Sequence, residues 1–233
     1  MKLFYWQEKT SLGLLTVVTA DEKCCHVAFP SKPWGKIMDW LTRVFPDTPL
    51  KKDKRAADPV LQDLADYLAG NLQVFSTPLL FKGTPFQKKV WQELVKVPFG
   101  KTASYGDLAC RTNSSPRAVG GAMGANPVAI IAPCHRVIGT DGSLTGFGGG
   151  FSVKKKLLEI ENIIPGEGEK VSHWLSRHQA NPRYLGNRAK KTFCRPDCPI
   201  IAHRDLRQTI PALFNTTEEA EASGYKPCRH CLG

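Results

Sequence analysis

The chain has 233 residues, 42% of them hydrophobic, which is enough to bury a core and argues against wholesale disorder. Its formal net charge of +11 and pI near 9.3 point to a polyanionic partner, nucleic acid before an acidic membrane surface. The opening MKLFYWQEKT meets charge too early for a secretory signal, and no apolar run approaches the ~20 residues of a membrane span. A cytoplasmic location is therefore expected, nucleoid-associated or, in a eukaryote, nuclear. Thiols stay reduced there, so the eight cysteines suggest metal or chemistry rather than disulfides.

Residues 1–80 read as a small α/β domain. LFYW, LGLLTVVTA and CCHVAFP are rich in β-branched and aromatic residues, with turn signals at Ser11-Leu12-Gly13 and Ala20-Asp21-Glu22, which predicts a meander of short strands. Asp58 can cap a helix whose first turn holds Pro59, with Leu61, Leu64, Tyr67 and Leu68 on one face. Cys24-Cys25-His26 invites a metal reading, but neighbours on a strand point to opposite faces, so ordinary strand residues are the better reading.

The pattern changes at Thr84. Thr84-Pro85-Phe86-Gln87 is a helix start with Gln87 placed for a capping box, followed by an apolar stripe through Val90, Trp91, Leu94 and Val95. A shorter helix begins at Ser104-Tyr105-Gly106-Asp107 and a third at Pro116; two short helices joined by a tight turn fit a helix-turn-helix. The third holds Gly120, Gly121 and Gly124, each costing ~1 kcal/mol against alanine. Close helix packing explains such glycines, and so does the approach of a nucleic-acid backbone; Arg117 on the same helix of a basic chain favours the second.

AIIAPCHRVIG then reads as a strand carrying Cys134, His135 and Arg136. GTDGSLTGFGGG, with six glycines, lacks the Gly-Lys-Ser/Thr of a phosphate loop and reads as a loop around a flat ligand. Ser152 caps a last helix that ends near Glu161. A thiol attacks as thiolate, and a neighbouring base or cation lowers its pKa from about 8.5. His135 and Arg136 are such neighbours, and Glu161 is a candidate to hold the imidazole tautomer. Cys-His adjacency alone would more often mark a structural cysteine.

RAVGGAMGANPVAIIAPCHRVIGTDGSLTGFGGGFSVKKKLLEIE, with TPFQKKVWQELVKVPFGKTASYGDLA upstream, resembles the O6-alkylguanine-DNA alkyltransferases over residues 84–162. The resemblance implies a ribonuclease-H-like N-terminal domain with a small mixed or antiparallel sheet, followed by a mainly helical helix-turn-helix alkyltransferase domain. It implies double-stranded DNA containing O6-alkylguanine as partner, no membrane, a monomer and no cofactor for the transfer. Cys134 would accept the alkyl group; His135, through a water, would take its proton; Glu161 would orient His135; Asn126 would brace the turn; Tyr105 would hold the extruded base. Arg117 would fill the gap in the duplex, and Ala118, Gly120 and Gly121 would line the minor groove. Ser104, Arg136, Phe147 and Gly148 complete the expected DNA-contacting set. Gly124-Ala125-Asn126 lacks the arginine that often precedes the asparagine, and Phe147 stands where many members have tyrosine. Members that only bind DNA lack the acceptor cysteine, so Cys134 argues against a pure sensor or regulator, the alternative reading.

Residues 163–182 read as a linker with a short helix around Trp174, and 183–233 as a small module. Cys194-x3-Cys198 and Cys228-x2-Cys231, separated by 29 residues, suit tetrahedral zinc. His203 or His230 is a possible but unneeded ligand. FCRPDC and SGYKPCRHC resemble the metal-binding domain of Ada-type adaptive-response proteins, here following rather than preceding the alkyltransferase. That resemblance implies either methyl acceptance from phosphotriesters at Cys194 or a structural, DNA-holding zinc module. Arg188, Lys190, Lys191 and Arg195 would contact phosphates in both cases.

Overall fold

The computed structural model describes residues 1–167, 174, 182–202, 206 and 208–233. Strands β1 (Leu3–Thr10), β2 (Gly13–Ala20) and β3 (Lys23–Ala28) form the expected meander, and β4 (Leu50–Lys52) adds parallel to β1, giving the order β3-β2-β1-β4. The β2–β3 turn places Asp21 and Glu22 in the left-handed region, at φ 44° and 65°, which matches the twist of a tight hairpin. Alternation sends β2 and β3 side chains to two buried faces. On one, Leu15, Val17, Cys24 and Val27 meet Val60, Leu64 and Tyr67 of α2 (Asp58–Leu68). On the other, Val18, Cys25 and Ala28 meet Ile37 and Leu41 of α1 (Trp34–Val44). Cys24 and Cys25 thus lie on opposite sides of the sheet as buried strand residues. Helix α1 and strand β4 have no counterpart among the sequence expectations. The N-cap of α2 is Ala57 rather than Asp58, which is already helical.

Helix α3 (Pro85–Val95) carries the full Thr84/Gln87 capping box, and α4 (Tyr105–Thr112) a second one from Ser104 and Asp107. Each box satisfies backbone N–H groups that a helix start leaves unpaired. Asn113, left-handed at φ 53°, ends α4, and Ser115 caps α5 (Pro116–Gly124) by accepting from the Ala118 N–H. The three helices share a core of Val90, Trp91, Leu94, Leu108, Val119 and Ala122, tied by Trp91 Nε1 donating to the Ala122 carbonyl at 2.8 Å.

Two expectations need correction. Cys134–Arg136 form a turn of 3-10 helix rather than a strand; the extended stretch is only β6 (Val137–Ile138), paired parallel with β5 (Ala103–Ser104). Pro133 and the Cys134 N–H bond to the Ala132 carbonyl turn the chain there. Helix α6 (Phe151–Ile160) starts two residues earlier than expected, with Gly150 at its N-cap and Ser152 inside; Glu161 follows its last turn.

The C-terminal module has the sheet order β10-β8-β7-β9, from β7 (Tyr184–Asn187), β8 (Thr192–Cys194), β9 (Ala212–Phe214) and β10 (Lys226–Pro227). Helices α7 (Pro199–Ala202) and α8 (Thr217–Ala222) flank it. The module packs on the glycine-rich loop. The Leu144 N–H donates to the Gln208 carbonyl at 3.1 Å and the Ile210 N–H to the Gly142 carbonyl at 2.9 Å. Ile210 joins Ile138, Leu144, Leu158, Ile163 and Ile164 in one apolar cluster. Gly142 is required there, because at φ 85° a side chain is strained and a Cβ would strike the Ile210 carbonyl oxygen. Most of the expected linker, its helix around Trp174 and His203 lie outside the described residues; Trp174 itself is helical and buried among Leu185, Cys194 and Cys228. Among the described residues no helix is long and apolar enough to cross a membrane.

Candidate active site

Cys134 sits between the helical core and the N-terminal sheet layer, partly exposed, on the wall of a cavity of about 960 Å³. The backbone leading to it is held tightly. Asn126 donates from Nδ2 to the Ala132 carbonyl and accepts the Val128 N–H on Oδ1, both at 3.0 Å, so one side chain fixes both ends of the turn. Within that turn buried Ile130 has φ 72°, a left-handed conformation that costs a β-branched residue on the order of 1–3 kcal/mol.

Behind Cys134 lies a buried polar network. His135 Nε2 is 2.7 Å from Glu161 Oε1. Arg136 grips the same carboxylate, Nε reaching Oε2 at 2.9 Å and Nη2 reaching Oε1 at 2.9 Å, and donates from Nη1 to the Val97 carbonyl. Tyr67 of α2 donates its hydroxyl to Glu161 Oε1 at 2.6 Å and stands 3.2 Å from His135 Nε2. The Gly100 N–H adds a fifth contact at 3.3 Å. The ring closure Glu161–His135 is the one anticipated from the sequence. Arg136 is a correction: expected on the DNA face, it is buried and its charge is spent on Glu161 and Val97.

The electrostatics follow from this packing. Burial would raise the Glu161 carboxyl, but His135 and Arg136 outweigh it and hold the group down at about 2. Burial lowers His135, against the opposing pull of Glu161, so the imidazole is neutral at neutral pH. With Glu161 ionised, Nε2 carries the proton and Nδ1 is left as a lone pair with no partner among the described residues. Burial also raises the Cys134 thiol, opposed by Asn126 and Lys154. The resting thiol is therefore protonated, contrary to the lowered value expected from its neighbours alone. Such a site suits a nucleophile that gives up its proton to an adjacent neutral base as it attacks.

Two contributors were not singled out for the site from the sequence. Tyr67 is separated from Glu161 by 94 positions, and only the α2 stripe hinted that it faces inward. Lys154 is buried inside α6 and donates to the Val137 carbonyl at 2.7 Å and the Thr145 carbonyl at 2.9 Å, stitching β6 to the glycine-rich loop. Burial lowers its ammonium to about 8, while a thiolate at Cys134 would raise it. A lysine among Lys155 and Lys156 gives no local sign that it points inward.

Four of the eight expected DNA-contacting residues share one helix, α5. Arg117 and Gly121 are exposed on α5, with Ala118 and Gly120 half-buried. A Cβ at Gly121 or Gly124 would meet no atom within 4 Å, so helix packing does not require these glycines. Ser104 is engaged as the α4 cap, and half-buried Tyr105 follows it. Burial raises the Tyr105 phenol, Thr145 opposing. Phe147 packs on Phe29, ring centroids 5.4 Å apart, and the exposed Gly148 carbonyl accepts from Ser31 Oγ at 3.0 Å.

In the C-terminal module the sulfurs of Cys194, Cys198, Cys228 and Cys231 all lie within 4.8 Å of one another. Tetrahedral zinc with Zn–S of ~2.3 Å sets sulfurs ~3.8 Å apart, so the set fits that ion. No other such group occurs among the described residues, and neither Cys24 nor Cys25 belongs to one. Of the expected phosphate contacts, Arg188 is instead engaged with the Ile210 carbonyl at 3.2 Å and Arg195 with the Cys231 carbonyl at 2.8 Å. Lys191 lies over the Tyr225 ring at 4.5 Å.

Residues 85–163 match the family model described as "6-O-methylguanine DNA methyltransferase, DNA binding domain", and residues 176–232 the one described as "Metal binding domain of Ada". The inducible methylated-DNA–protein-cysteine methyltransferase of Bacillus subtilis is 43% identical over 143 residues, 60% of this chain and 80% of the relative. The methylated-DNA–protein-cysteine methyltransferase of Haemophilus influenzae is 37% identical over 164 residues, 69% of this chain and 87% of the relative. Among solved structures, the Mycobacterium tuberculosis OGT in complex with DNA superposes with a TM-score of 0.60 at 36% identity, over 68% of this chain and 92% of that one.

Proposed function

The chain belongs to the methylated-DNA–protein-cysteine methyltransferase family, and on that premise we propose that Cys134 is its alkyl acceptor and that the buried His135–Glu161 pair serves it. The family's work is DNA repair by direct reversal, and double-stranded DNA is the partner. The reading as a sensor that merely signals damage is not favoured. The observation that carries the assignment of Cys134 is its place on the cavity wall, in one 3-10 turn with a neutral histidine whose tautomer is fixed by an ionised carboxylate.

The substrate is O6-alkylguanine, with O4-alkylthymine as a second. The alkyl carbon is out of reach inside a base stack, so the nucleotide must be extruded. Arg117 fills the vacated place, and the small-residue face of Ala118, Gly120 and Gly121 lies in a minor groove widened by bending. Tyr105 and the backbone around Phe147 and Gly148 hold the base; Ser104 keeps Tyr105 in position by capping α4. His135, through a water at Nδ1, takes the thiol proton. Sulfur attacks the alkyl carbon in line, the S–C bond forms, the C–O6 bond breaks with its electron pair passing to oxygen, and guanine leaves protonated. A thioether is a poor leaving group, so each chain acts once, and the step draws on no cofactor. Arg136 and Tyr67 position Glu161, and Asn126 fixes the turn.

The chain divides into residues 1–80, 84–162, a connector at 163–182 and 183–233. The order β3-β2-β1-β4, with β4 parallel to β1, supports the ribonuclease-H-like assignment of the first. Zinc is the cofactor of the last; held by Cys194, Cys198, Cys228 and Cys231, it would keep the sulfurs as thiolates and supply most of the module's folding energy. The module aids DNA binding, with methyl acceptance at Cys194 as the second possibility, tested by offering methylphosphotriester DNA. A monomer in the cytoplasm fits the rest.

The test is peptide mass mapping after mixing the chain with duplex DNA carrying O6-methylguanine. One added methyl on Cys134, lost in Cys134→Ala, is expected; a methyl on another residue of the 84–162 segment overturns the assignment.

A further inference from the structure

The cavity that contains Cys134 has a second population of side chains that the transfer does not use. Among the described residues its wall carries five cations, Lys32, Lys36, Arg43, Lys82 and Lys88, and no acidic side chain. They come from separate places in the fold: the chain before α1, α1 itself, the segment before α3, and α3. None makes an ion pair with a described residue. The Lys82 Nζ lies 5.1 Å from the centroid of the Phe45 ring. Partial burial lowers the Lys32 ammonium from the ordinary lysine value. Like charges around one concavity raise the local potential and draw in an anion.

Where that anion would come from follows from the thiol's place. The cavity is bounded by Gly124 and Ala125, at the C-terminal end of α5, whereas Arg117 opens the helix seven residues earlier, ~10 Å away at 1.5 Å per residue. A base held for attack on its first alkyl carbon sits with that carbon at Cys134. Phe147 and Gly148, which hold the base, line the same cavity, so a longer substituent on that carbon has this space to enter, with the cations and Trp40 on its wall.

We propose that this cavity selects O6 substituents that end in an anion, such as a carboxylate on a short alkyl or benzyl arm. The inference rests on Cys134 being the acceptor and adds a substrate class to that reading. The step stays balanced. Sulfur bonds the carbon next to O6, the C–O6 bond breaks with its pair on oxygen, the thiol proton ends on the released guanine, and the carboxylate stays on the protein as part of the thioether.

The test uses three free bases: O6-benzylguanine, its 4-carboxylate and the 4-carboxamide of the same shape. Second-order rate constants for Cys134 modification are read by intact mass, at low and high salt, for the full chain and for a Lys32→Gln/Lys82→Gln variant. Two partly solvated cation–carboxylate contacts predict about a tenfold preference for carboxylate over carboxamide at low salt. That ratio should fall towards one at high salt and in the variant, while the plain benzyl rate holds. Equal rates in the unaltered chain overturn the proposal. So does a ratio that the variant leaves intact while its affinity for duplex DNA drops, since the lysines then serve the phosphate backbone. Failure of all three bases overturns the proposal where Cys134 still takes methyl from duplex O6-methylguanine, and overturns the acceptor assignment itself where it does not.

Discussion

Replacing Tyr67 by phenylalanine removes one oxygen from the network behind Cys134 and nothing else. The ring keeps its neighbours, Phe75 at 5.2 Å and Phe99 at 6.2 Å between centroids. What is lost is the 2.6 Å donation to Glu161 Oε1, with the longer 3.2 Å contact to His135 Nε2. A buried hydrogen bond to a charged acceptor is worth ~1.5–3 kcal/mol, and because His135 and Arg136 still serve the carboxylate the lower part of that range, ~1.5–2 kcal/mol, applies. At ~2–4 °C per kcal/mol for a chain of this size, thermal unfolding should begin about 3–8 °C lower. The pH dependence sharpens the test. Glu161 is held at about 2 in the fold, below its unfolded value of ~4.3, so its stabilisation is whole above that value and is lost as pH falls towards 2. Without the Tyr67 donor the folded value rises by ~1 unit, so the variant stops losing stability that much earlier. The gap between the two proteins should be full at pH 7 and pH 4 and should close between roughly pH 3 and 2. Urea unfolding at pH 7, 4 and 2.5 measures it. No gap at pH 7, or a gap that widens on acidification, refutes the reasoning.

Arg136→Met leaves the Glu161 carboxylate buried with its main cation gone; a loss of ~3–5 kcal/mol is expected by denaturant unfolding, with the salt dependence of DNA binding unchanged. Transfer to a free O6-benzylguanine should hold its rate below the ordinary histidine range, because burial lowers His135, and should climb on the alkaline side, because burial raises the Cys134 thiol. A stopped-flow pH series with a midpoint at the ordinary histidine value would contradict this. Metal analysis should give one zinc per chain, lost when Cys228 and Cys231 are both serine, with unfolding of residues 183–233 detected by limited proteolysis. In that variant hydrogen exchange at the Leu144 amide should accelerate, because its acceptor is the Gln208 carbonyl of the docked module.

Local signals were legible in the chain itself. Thr84 with Gln87, Ser104 with Asp107, and Pro116 after Ser115 are pairings within three residues, and each produces the helix start it predicts. The strand alternation of Cys24 and Cys25 was legible for the same reason. The Glu161–His135 contact spans 26 positions; the residues offered Glu161 only as a candidate, and the resemblance implied the pairing. Arg136 was expected on the DNA face because nothing near it in the chain shows its partner, Glu161, which lies beyond α6. Tyr67 and Lys154 carried no motif; their roles depend on which face of α2 and α6 the tertiary packing turns inward. The docking of the module on the glycine-rich loop, through Gly142 and Ile210, joins segments that share no pattern in sequence.

The central claim is that Cys134 takes the alkyl group and is consumed by doing so. Titrating a fixed amount of the chain with excess O6-methylguanine duplex and counting repaired guanines against methylated Cys134 tests it most directly. Repair that stops at one guanine per chain, with one methyl on Cys134 for each, is the predicted result. Continued repair beyond that ratio, or repair with Cys134 unmodified, would contradict it.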